Sequence, residues 1–344
     1  MRTTYRAMQI ASPGQLVLVE RPTRQPASGE VLIDVEACGI CGADASDIER
    51  ADPGVQPPRV PGHEVVGRIA ALGSDVAPIW RLGQRVGVGR LGGYCNVCMS
   101  CRRGRFELCE NQPVMGATRD GGYAEMMLAR ATGLVAIPDE LASEAAAPIL
   151  CAGIATFNAL KKCGAGAGDT VAVLGIGGLG HMALQYARSM GFRVVAVGRG
   201  SDIASEAQTL GAHRYINALE EDAAAALQAI GGARALIVTM NHAETIAAMM
   251  KGLAPQGTAV LLGVGKDPLA VSTGHLVSGE RSLLGSITGT PYDNERTLDF
   301  SVLTGVRPRI EIMPLEQANE AYQRMKSGQV KFRMVLTMDR HRQP

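Results

Sequence analysis

Four cysteines in one short loop carry the clearest chemical signal of this sequence. The loop spans fifteen residues, is rich in Gly, Asn and Arg, and contains the thiols of Cys95, Cys98, Cys101 and Cys109. Thiolates are soft ligands, and four of them within reach of one another favour a tetrahedral Zn²⁺ site. Because four protein ligands leave no open position on the metal, the pattern predicts a structural zinc. An iron–sulfur cluster or two disulfides would use the same residues.

A second set of metal-binding residue types is dispersed along the chain. It consists of the segment Cys38-Gly-Ile-Cys41-Gly-Ala-Asp44, the segment Gly62-His63-Glu64, and Cys151. The first two cysteines could be a redox pair, although they do not lie at a strand-to-helix turn of the thioredoxin kind. His63 and Cys151, taken singly, are typical of buried packing residues. From the residues alone, a shared metal site is therefore only one of several interpretations.

Residues 170–199 contain a glycine-rich turn between a strand and a helix. Thr170–Leu174 is an apolar, β-branched run, and Gly175, Gly177 and Gly180 follow it as G-x-G-x-x-G. Apolar residues then recur at helical spacing, and 194–197 forms the next apolar run. This order predicts a β-α-β unit whose first turn can approach a dinucleotide pyrophosphate. A purely structural glycine turn is the alternative.

The rest of the chain predicts the elements that must position these groups. In residues 1–150, short strand-like runs alternate with Gly/Pro turns, which indicates a β-rich, barrel-like domain. From about 153 to 290, apolar runs alternate with helical patterns, which indicates a doubly wound parallel sheet and an α/β fold class. The tail from 314 to 338 pairs an amphipathic helix with a final strand. The six strands predicted for the middle segment are 171–174, 194–197, 215–216, 235–238, 259–262 and 283–287.

Composition excludes several function classes. The chain is 46% hydrophobic and 19% charged with a net charge of +1, so electrostatics favours neither nucleic acid nor an anionic membrane as a partner. No apolar run approaches the roughly 20 residues of a membrane span, and the N-terminus lacks an apolar signal core. Eight cysteines without a secretory signal indicate reduced thiols. We therefore expect a soluble, cytoplasmic enzyme.

Nearly the whole chain resembles the zinc-dependent alcohol dehydrogenases of the medium-chain dehydrogenase/reductase superfamily. The resemblance rests on ordered motifs, which are C-G-I-C-G-A-D, V-P-G-H-E-V-V-G, the four-cysteine loop, D-G-G-Y-A-E, A-P-I-L-C-A-G, G-I-G-G-L-G, G-S-I-T-G-T and P-L-E-Q-A-N-E-A-Y. It implies a GroES-like catalytic domain over 1–152, completed by 291–344. It also implies a Rossmann nucleotide-binding domain over 153–290 and an active site in the cleft between the two domains.

The resemblance implies a role for each matching residue. Cys41, His63 and Cys151 match the catalytic zinc ligands, with Glu64 as a conditional ligand and Asp44 as the carboxylate that bonds the ligand histidine. Such a Cys₂His site keeps one position open for Lewis-acid chemistry on an alcohol oxygen, with hydride transfer to a nicotinamide. Together with the four-cysteine loop, this implies two zinc ions per chain. Cys38 and Cys163 match no ligand position and are interpreted as packing thiols.

Three positions depart from the family pattern. Ala43 stands where a Ser or Thr hydroxyl usually starts a proton relay, and Ser46 stands where some members carry the histidine that continues it. Ala155 occupies a position where a threonine often touches the nicotinamide, although Thr156 is adjacent. We therefore expect the proton to leave through water or Ser46, with zinc polarisation carrying a larger share of catalysis.

The end of the second strand of the β-α-β unit bears on the choice of nicotinamide. NAD enzymes place Asp or Glu about 20 residues beyond the glycines to bind the ribose 2′-hydroxyl, whereas this chain has Gly198 there, followed by Arg199. A guanidinium can pair with a 2′-phosphate, so NADP(H) is favoured over NAD(H). Arg199 could instead stack on adenine or face solvent, and Asp202 could turn to the ribose. The predicted cofactor-binding residues are Gly175, Gly177, Gly178, Leu179, Gly180, Gly198, Arg199, Ser201, Val264 and, through the pyrophosphate, Arg333.

These observations predict an oxidoreductase that interconverts alcohols with aldehydes or ketones, using NAD(P)⁺. The alternatives are a zinc-independent reductase of quinones or activated alkenes, disfavoured by the joint presence of Cys41, His63 and Cys151, and a non-catalytic nucleotide-binding protein. The expected partners are a small-molecule substrate and copies of the same chain, as a homodimer or homotetramer. The edge strand near 283–287 is the expected dimer contact.

Overall fold

The computed structural model describes residues 2–49 and 58–338, and these form two compact units. The first unit comprises Met1–Cys151 together with Gly289–Pro344, and the second comprises Ala152–Thr288. Each unit has its own sheet and its own hydrophobic core.

The N-terminal part of the first unit is built mainly from strands. Its strands are β1 (Thr4–Ser12), β2 (Gln15–Pro22), β3 (Glu30–Ile40), β4 (Glu64–Leu72), β5 (Arg85–Val88), β6 (Met126–Arg130) and β7 (Leu134–Ala136). Its helices are short: α1 (Asp44–Ile48), α2 (Met99–Arg102) and α3 (Ser143–Ala146), with 3₁₀ turns at Phe106–Leu108, Ala131–Gly133 and Ala147–Leu150.

The second unit alternates strands with helices. Its strands are β8 (Thr170–Leu174), β9 (Arg193–Gly198), β10 (Arg214–Asn217), β11 (Ala233–Val238), β12 (Leu253–Leu261) and β13 (Ser282–Gly285). Its helices are α4 (Ala152–Lys162), α5 (Gly180–Ser189), α6 (Ala204–Thr209), α7 (Ala223–Gln228), α8 (Ala243–Met249) and α9 (Thr273–Ser278), with a 3₁₀ turn at Met250–Gly252.

The chain then returns to the first unit and completes its sheet. The returning elements are α10 (Pro291–Thr304), β14 (Ile310–Pro314), the 3₁₀ turn Leu315–Gln317, α11 (Ala318–Lys326) and β15 (Arg333–Thr337). Helix α10 begins with a capping box in which Thr290 and Asp293 bond each other's backbone, and it ends at Gly305 in the left-handed region.

Strand β3 organises the sheet of the first unit. The strand order is β14-β15-β3-β4-β5-β7, and β6 also pairs with β3. Only the β14–β15 pair is parallel among the described strands of this sheet. Apolar side chains from β3, β4 and β15 fill the core beneath it. Because β3 and β4 are antiparallel and pair Gly39 with Glu64, the residues just after β3 lie beside those just before β4.

The second unit contains a six-stranded parallel sheet. The spatial order of its strands is β10-β9-β8-β11-β12-β13. All six strands run in the same direction, but the strand numbers fall from β10 to β8 and then rise from β11 to β13. Every residue of β8 is buried, as expected for a strand covered on both faces. This topology confirms the predicted doubly wound sheet, and the β-rich first unit confirms the mixed α/β class. In such sheets, ligands bind beyond the carboxyl ends of the strands at the point of reversal.

One helical stretch within 2–49 and 58–338, Ser143–Lys162, is long and apolar enough to cross a membrane by length and composition. Its most apolar part is 83% buried inside the protein, which is the property of a core helix. The stretch includes α3, a 3₁₀ turn and α4, with Cys151 between the last two.

Candidate metal centres and cofactor site

The dispersed group of ligand-type residues comes together in the first unit. Cys41, His63, Glu64 and Cys151 each offer one ligand atom, and these atoms all lie within 4.8 Å of one another. The antiparallel β3–β4 pair brings the first three together, because Cys41 follows β3 directly and Glu64 begins β4. Cys151 follows the 3₁₀ turn that precedes α4. The fold therefore joins residues that are up to 110 positions apart in the chain.

The fully buried Asp44 carboxylate holds this cluster in place. Its Oδ2 accepts hydrogen bonds from the backbone N–H of Cys41 and from the hydroxyl of Tyr123, both at 2.9 Å. Its Oδ1 lies 2.7 Å from His63 Nδ1. Burial alone would lower the pKa of His63, but the facing Asp44 carboxylate raises it to about 10. Asp44 thus fixes the side of the imidazole that carries a proton.

The opposite nitrogen of His63 is left available. Nε2 is buried and has no hydrogen-bond partner among the described residues. A buried polar atom without a partner is costly, so its presence calls for a ligand. The Cys41 and Cys151 sulfurs are 3.8 Å apart, which equals the edge of roughly 3.8 Å expected of a tetrahedron with Zn–S bonds of about 2.3 Å. The donor set and its spacing therefore fit zinc.

The two thiols of the cluster differ in acidity. The hydrogen bond to Cys151 lowers the pKa of Cys41 well below its usual range, although burial opposes this shift, and His63 lowers it further. The same hydrogen bond raises the pKa of Cys151. Because the thiolate is the form that binds metals, Cys41 is the sulfur best prepared to do so.

Glu64 belongs to the ligand cluster and also has a cationic partner outside it. Arg333, the first residue of β15, forms an ion pair with its Oε1, and both side chains are almost completely buried. Burial raises the pKa of Glu64 to about 7 even though Arg333 opposes the shift. The second oxygen, Oε2, is buried without a hydrogen-bond partner among the described residues. Glu64 is therefore held by Arg333 with one oxygen available, as a conditional ligand requires.

An ion pair beside the cluster was not anticipated from the sequence. Asp47 is fully buried, and its two oxygens accept hydrogen bonds from Arg90 Nη1 at 2.8 Å and from Nη2 at 3.3 Å. Arg90 Nη1 also lies 3.4 Å from His63 Nδ1. The sequence did carry one signal, since Asp47 is three residues after Asp44 on the same helix and so shares its face. Tyr123, within D-G-G-Y-A-E, also helps to hold Asp44, and the motif by itself did not indicate this role.

Ser46, a predicted exit for the substrate proton, lies on the exposed side of α1. Its hydroxyl donates a hydrogen bond to the carbonyl of Ala43 at 3.0 Å and does not belong to the ligand cluster. The two remaining thiols are also outside both clusters. Cys38 and Cys163 are buried, each bonds a nearby carbonyl, and burial raises the pKa of each.

The four-cysteine loop forms a second ligand cluster in the first unit. The thiols of Cys95, Cys98, Cys101 and Cys109 lie within 4.8 Å of one another. The sulfur pairs Cys95–Cys101 and Cys98–Cys109 are both 4.0 Å apart, which is the spacing of metal ligands and about twice a disulfide bond. The amide of Asn111 donates to Cys95 at 3.4 Å and, with backbone N–H groups, lowers the pKa of that thiol to about 6. The loop thus fits a closed, all-sulfur zinc site.

The predicted glycine turn connects β8 to α5 in the second unit. Gly175 has φ of +92°, a conformation that favours glycine. A Cβ on Gly180 would lie 2.0 Å from the Gly175 carbonyl oxygen, so only glycine permits this tight turn. The hydroxyl of Thr239 donates to the Leu174 and Gly175 carbonyls at 3.0 and 2.9 Å and holds the turn to the end of β11. Gly177, Gly178 and Leu179 complete the turn, at the carboxyl end of β8 where nucleotides bind in this topology.

Tyr215 occupies the space beside Gly198 at the end of β9. A Cβ on Gly198 would lie 2.6 Å from the Tyr215 hydroxyl, which donates to the Gly200 carbonyl at 2.6 Å. Arg199 follows with an exposed side chain that makes no hydrogen bond or ion pair with other residues of the described chain. Ser201 and Asp202 are exposed beyond it. Tyr215 therefore explains why this position is a glycine, which the sequence alone did not reveal.

The other predicted cofactor residues have different surroundings. Val264 is 90% exposed, and Asn241 donates to its carbonyl at 3.3 Å. Thr156, next to Ala155, is buried and turns its hydroxyl to the carbonyls of its own helix. Arg333 lies beside the ligand cluster of the first unit, where it pairs with Glu64.

Comparisons with known proteins give a consistent result. Residues 27–139 match the family described as the alcohol dehydrogenase GroES-like domain, and residues 178–302 match the family described as zinc-binding dehydrogenase. The chain is 40% identical over 338 residues to alcohol dehydrogenase notN of Aspergillus sp. (strain MF297-2), covering 98% of each chain.

Two solved structures are similar over nearly their whole length. One is an acetophenone reductase from Geotrichum candidum in complex with NAD, with a TM-score of 0.86, 27% identity and 98% of each chain covered. The other is a protein from Helicobacter pylori named CAD, complexed with NADP(H), with a TM-score of 0.87, 25% identity and 99% of each chain covered.

Proposed function

Since this chain belongs to the zinc-dependent alcohol dehydrogenases of the medium-chain dehydrogenase/reductase superfamily, we propose a role for each residue of its sites. The protein is an NAD(P)-dependent oxidoreductase that acts on alcohols, and it carries two candidate zinc sites. We propose that the first unit is the catalytic domain and that the second unit is the nucleotide-binding domain.

Cys41, His63 and Cys151 are proposed to hold the catalytic zinc, with Glu64 as a conditional fourth ligand. The observation that carries this proposal is the buried, unpartnered Nε2 of His63 beside two sulfurs at tetrahedral spacing. When bound, the zinc ion supplies Lewis acidity toward the substrate oxygen, and the nicotinamide accepts the hydride. Three protein ligands leave the fourth position to the substrate whenever Glu64 stays with Arg333.

The surrounding residues prepare this site. Asp44 orients His63 through Nδ1 and so aims Nε2 at the metal position. Tyr123 and the Cys41 backbone hold Asp44 in turn. Because Ala43 has no hydroxyl and Ser46 bonds the Ala43 carbonyl, we propose that the substrate proton leaves through water, with Ser46 as an acceptor near the surface.

The four-cysteine loop is proposed to hold the structural zinc. All four of its ligands come from residues 95–109. Four sulfurs complete a tetrahedral shell, so this metal would stabilise the loop and take no part in the reaction.

NADP(H) is the proposed preferred cofactor. Gly198 removes the carboxylate that would bind a ribose 2′-hydroxyl, and the unpaired guanidinium of Arg199 follows it at the end of β9. The glycine turn would receive the pyrophosphate, with Ser201 and Val264 near the cofactor. Arg333 pairs with Glu64 through Nη2, and its Nε, which has no hydrogen-bond partner in the described chain, is proposed to contact the pyrophosphate.

The remaining proposals concern partners and location. An alcohol, aldehyde or ketone is the expected substrate, and no nucleic acid or membrane partner is proposed. We propose a cytoplasmic homodimer or homotetramer that uses β13 as a contact. Leu283 and Leu284 on this strand are 40% and 36% exposed, which is typical of apolar residues that a second copy would cover.

Metal analysis combined with turnover tests these proposals. Atomic absorption on the purified protein is expected to give two zinc ions per chain, and Cys151→Ser is expected to lose one of them together with the activity. Oxidation of a panel of primary and secondary alcohols would be followed with NADP⁺ and NAD⁺ side by side. Turnover that persists in Cys151→Ser with full zinc content would contradict the assignment of the catalytic metal.

A further inference from the structure

A cavity of about 220 Å³ in the first unit has no assigned role. No residue of either ligand cluster lines it. Cavities that receive drug-sized ligands span ~300–1,000 Å³, so this one suits a smaller molecule.

Four arginines dominate the cavity wall. They are Arg21 at the end of β2, Arg24 just after it, Arg59 in the segment before β4, and Arg119. Asp120 is the only carboxylate among the described lining residues, and Glu30 pairs with Arg119 from outside the lining. Four guanidinium groups against these two carboxylates leave a net charge of +2. An anion is therefore the complementary ligand.

The hydrogen-bonding capacity of these arginines exceeds what Asp120 offers. Its oxygens already face Arg21 and Arg59 at 3.2 Å each, and Oδ1 also accepts the Val60 N–H at 3.1 Å. Arg21 Nη1 is buried and faces Asp120 only as an ion pair, without forming a hydrogen bond among the described residues, and Arg59 Nε is buried with no hydrogen-bond partner there. Arg24 is exposed and makes no hydrogen bond or ion pair within the described chain. These donors are arranged for an acceptor that the protein itself does not supply.

The opposite part of the lining is apolar. The half-buried side chains of Tyr5 and Leu128 and the exposed ring of Pro22 supply this surface, whereas Leu32 and Met127 are already buried. Inorganic phosphate would leave this surface uncovered, whereas a ligand with a hydrocarbon group would cover it.

We propose that this cavity binds a small organic anion, a carboxylate or phosphate that carries an apolar group. The guanidinium groups of Arg21, Arg24 and Arg59 hold the anionic end, and Tyr5, Pro22 and Leu128 contact the apolar end. This inference does not depend on the metal or the reaction, and it adds a second ligand site to the catalytic unit.

Titration calorimetry on the full-length, zinc-loaded protein tests the proposal. Saturating NADPH occupies the phosphate-binding positions of the cofactor site, and the probes are benzoate, phenylphosphate and inorganic phosphate. We expect benzoate or phenylphosphate to bind at one site per chain. The probe with the smaller dissociation constant shows whether the cavity prefers a carboxylate or a phosphate. Inorganic phosphate should bind about tenfold more weakly, because it lacks the apolar contact. Equal affinity for inorganic phosphate would contradict the apolar part of the proposal.

Arginine variants locate the site. Arg24→Gln and Arg21→Gln should each raise the dissociation constant for the organic anion about five- to tenfold, since each removes a charge-assisted bond. Arg81→Gln is the matched control, because the Arg81 side chain is exposed, has no partner in the described chain, and does not line the cavity. The dissociation constant of the organic anion from this variant should stay within about twofold of the wild-type value. Unchanged binding in both Arg24→Gln and Arg21→Gln would overturn the proposal. Arg24 lies in an exposed coil, so folding of that variant is secure.

Discussion

At the residue scale, His63 shows how one side chain is prepared for a metal. Its Nδ1 lies 2.7 Å from Asp44, and its Nε2 is buried without a hydrogen-bond partner in the described chain. The carboxylate thus decides which nitrogen is available, and two further donors hold the carboxylate itself. The orientation of the histidine is therefore set by a residue outside the four candidate ligands.

Replacing Asp44 by Asn should therefore weaken the catalytic zinc. The amide keeps the shape and the contacts to Cys41 and Tyr123 but removes the negative charge beside His63. Loss of such a partner costs about 10- to 100-fold in metal affinity or activity. Chelator competition followed by a colorimetric zinc indicator measures the affinity. Asp139→Asn, at a fully exposed carboxylate, is the control, and equal zinc affinity in the two variants would argue against the role given to Asp44.

Arg199 should control the choice of cofactor. Its exposed guanidinium has no partner within the described chain, so it is available to a 2′-phosphate. Arg199→Ala is expected to raise KM for NADPH about tenfold and to leave KM for NADH nearly unchanged, because a single charge-assisted pair is lost. Steady-state kinetics with both cofactors measures this. Arg193→Ala, also exposed on β9, is the control. Equal effects on NADPH and NADH would refute the phosphate contact.

At the element scale, the end of β9 is adapted to β10. The Tyr215 hydroxyl lies where a Cβ on Gly198 would be and bonds the Gly200 carbonyl. A glycine at this position therefore serves the packing of two strands.

Gly198→Ala should lower the thermal unfolding temperature. The added methyl group would lie 2.6 Å from the Tyr215 oxygen, and overpacking of this kind costs about 1–3 kcal/mol. In a Tyr215→Phe background the same substitution should cost less, because the clashing oxygen is gone. A double-mutant cycle monitored by differential scanning calorimetry compares the two. Equal losses in both backgrounds would show that the hydroxyl does not limit the position.

The loop 95–109 is an element that a metal would hold together. Its helix α2 has only four residues and its other helical turn has three, so local hydrogen bonds contribute little. Cys98→Ser should reduce the zinc content from two ions to one per chain and lower the unfolding temperature. Cys163→Ser, at a buried thiol outside both clusters, should keep both ions. If Cys98→Ser lost both ions while Cys163→Ser kept them, the two metal sites would not be independent.

At the scale of the whole molecule, the parallel sheet ends in a strand that is open to association. Strand β13 pairs with β12 on one side only among the described strands, and its residues are exposed. An edge strand presents unpaired backbone N–H and C=O groups to which another chain can bond. We propose that two copies of the chain meet at this edge in the homo-oligomer.

Leu284→Lys should therefore shift the protein toward smaller species. A charge on the strand would be buried without a partner if two copies met there. Light scattering coupled to size-exclusion chromatography measures the mass. Leu303→Lys, at an 82% exposed residue of α10, is the control for the added charge. The same oligomer in both variants would place the contact elsewhere.

Much of this protein could be predicted from the sequence because the relevant residues are close together in the chain. The glycine turn lies within one β-α-β unit, and the structural cysteines lie within fifteen residues, so their spacing alone indicated the chemistry. The alternating apolar runs likewise predicted the six-stranded parallel sheet. The family pattern was needed to group Cys41 with His63 and Cys151.

Only the tertiary structure decided the contacts between distant residues. Glu64 and Arg333 are 269 residues apart, and Asp47 and Arg90 are 43 apart, so no local spacing could pair them. The four arginines of the cavity likewise come from three segments of the chain, and two of them, Arg21 and Arg59, pair with Asp120. Sequence patterns report periodicity and short motifs, whereas the partner of a buried charge depends on which strands the fold places side by side.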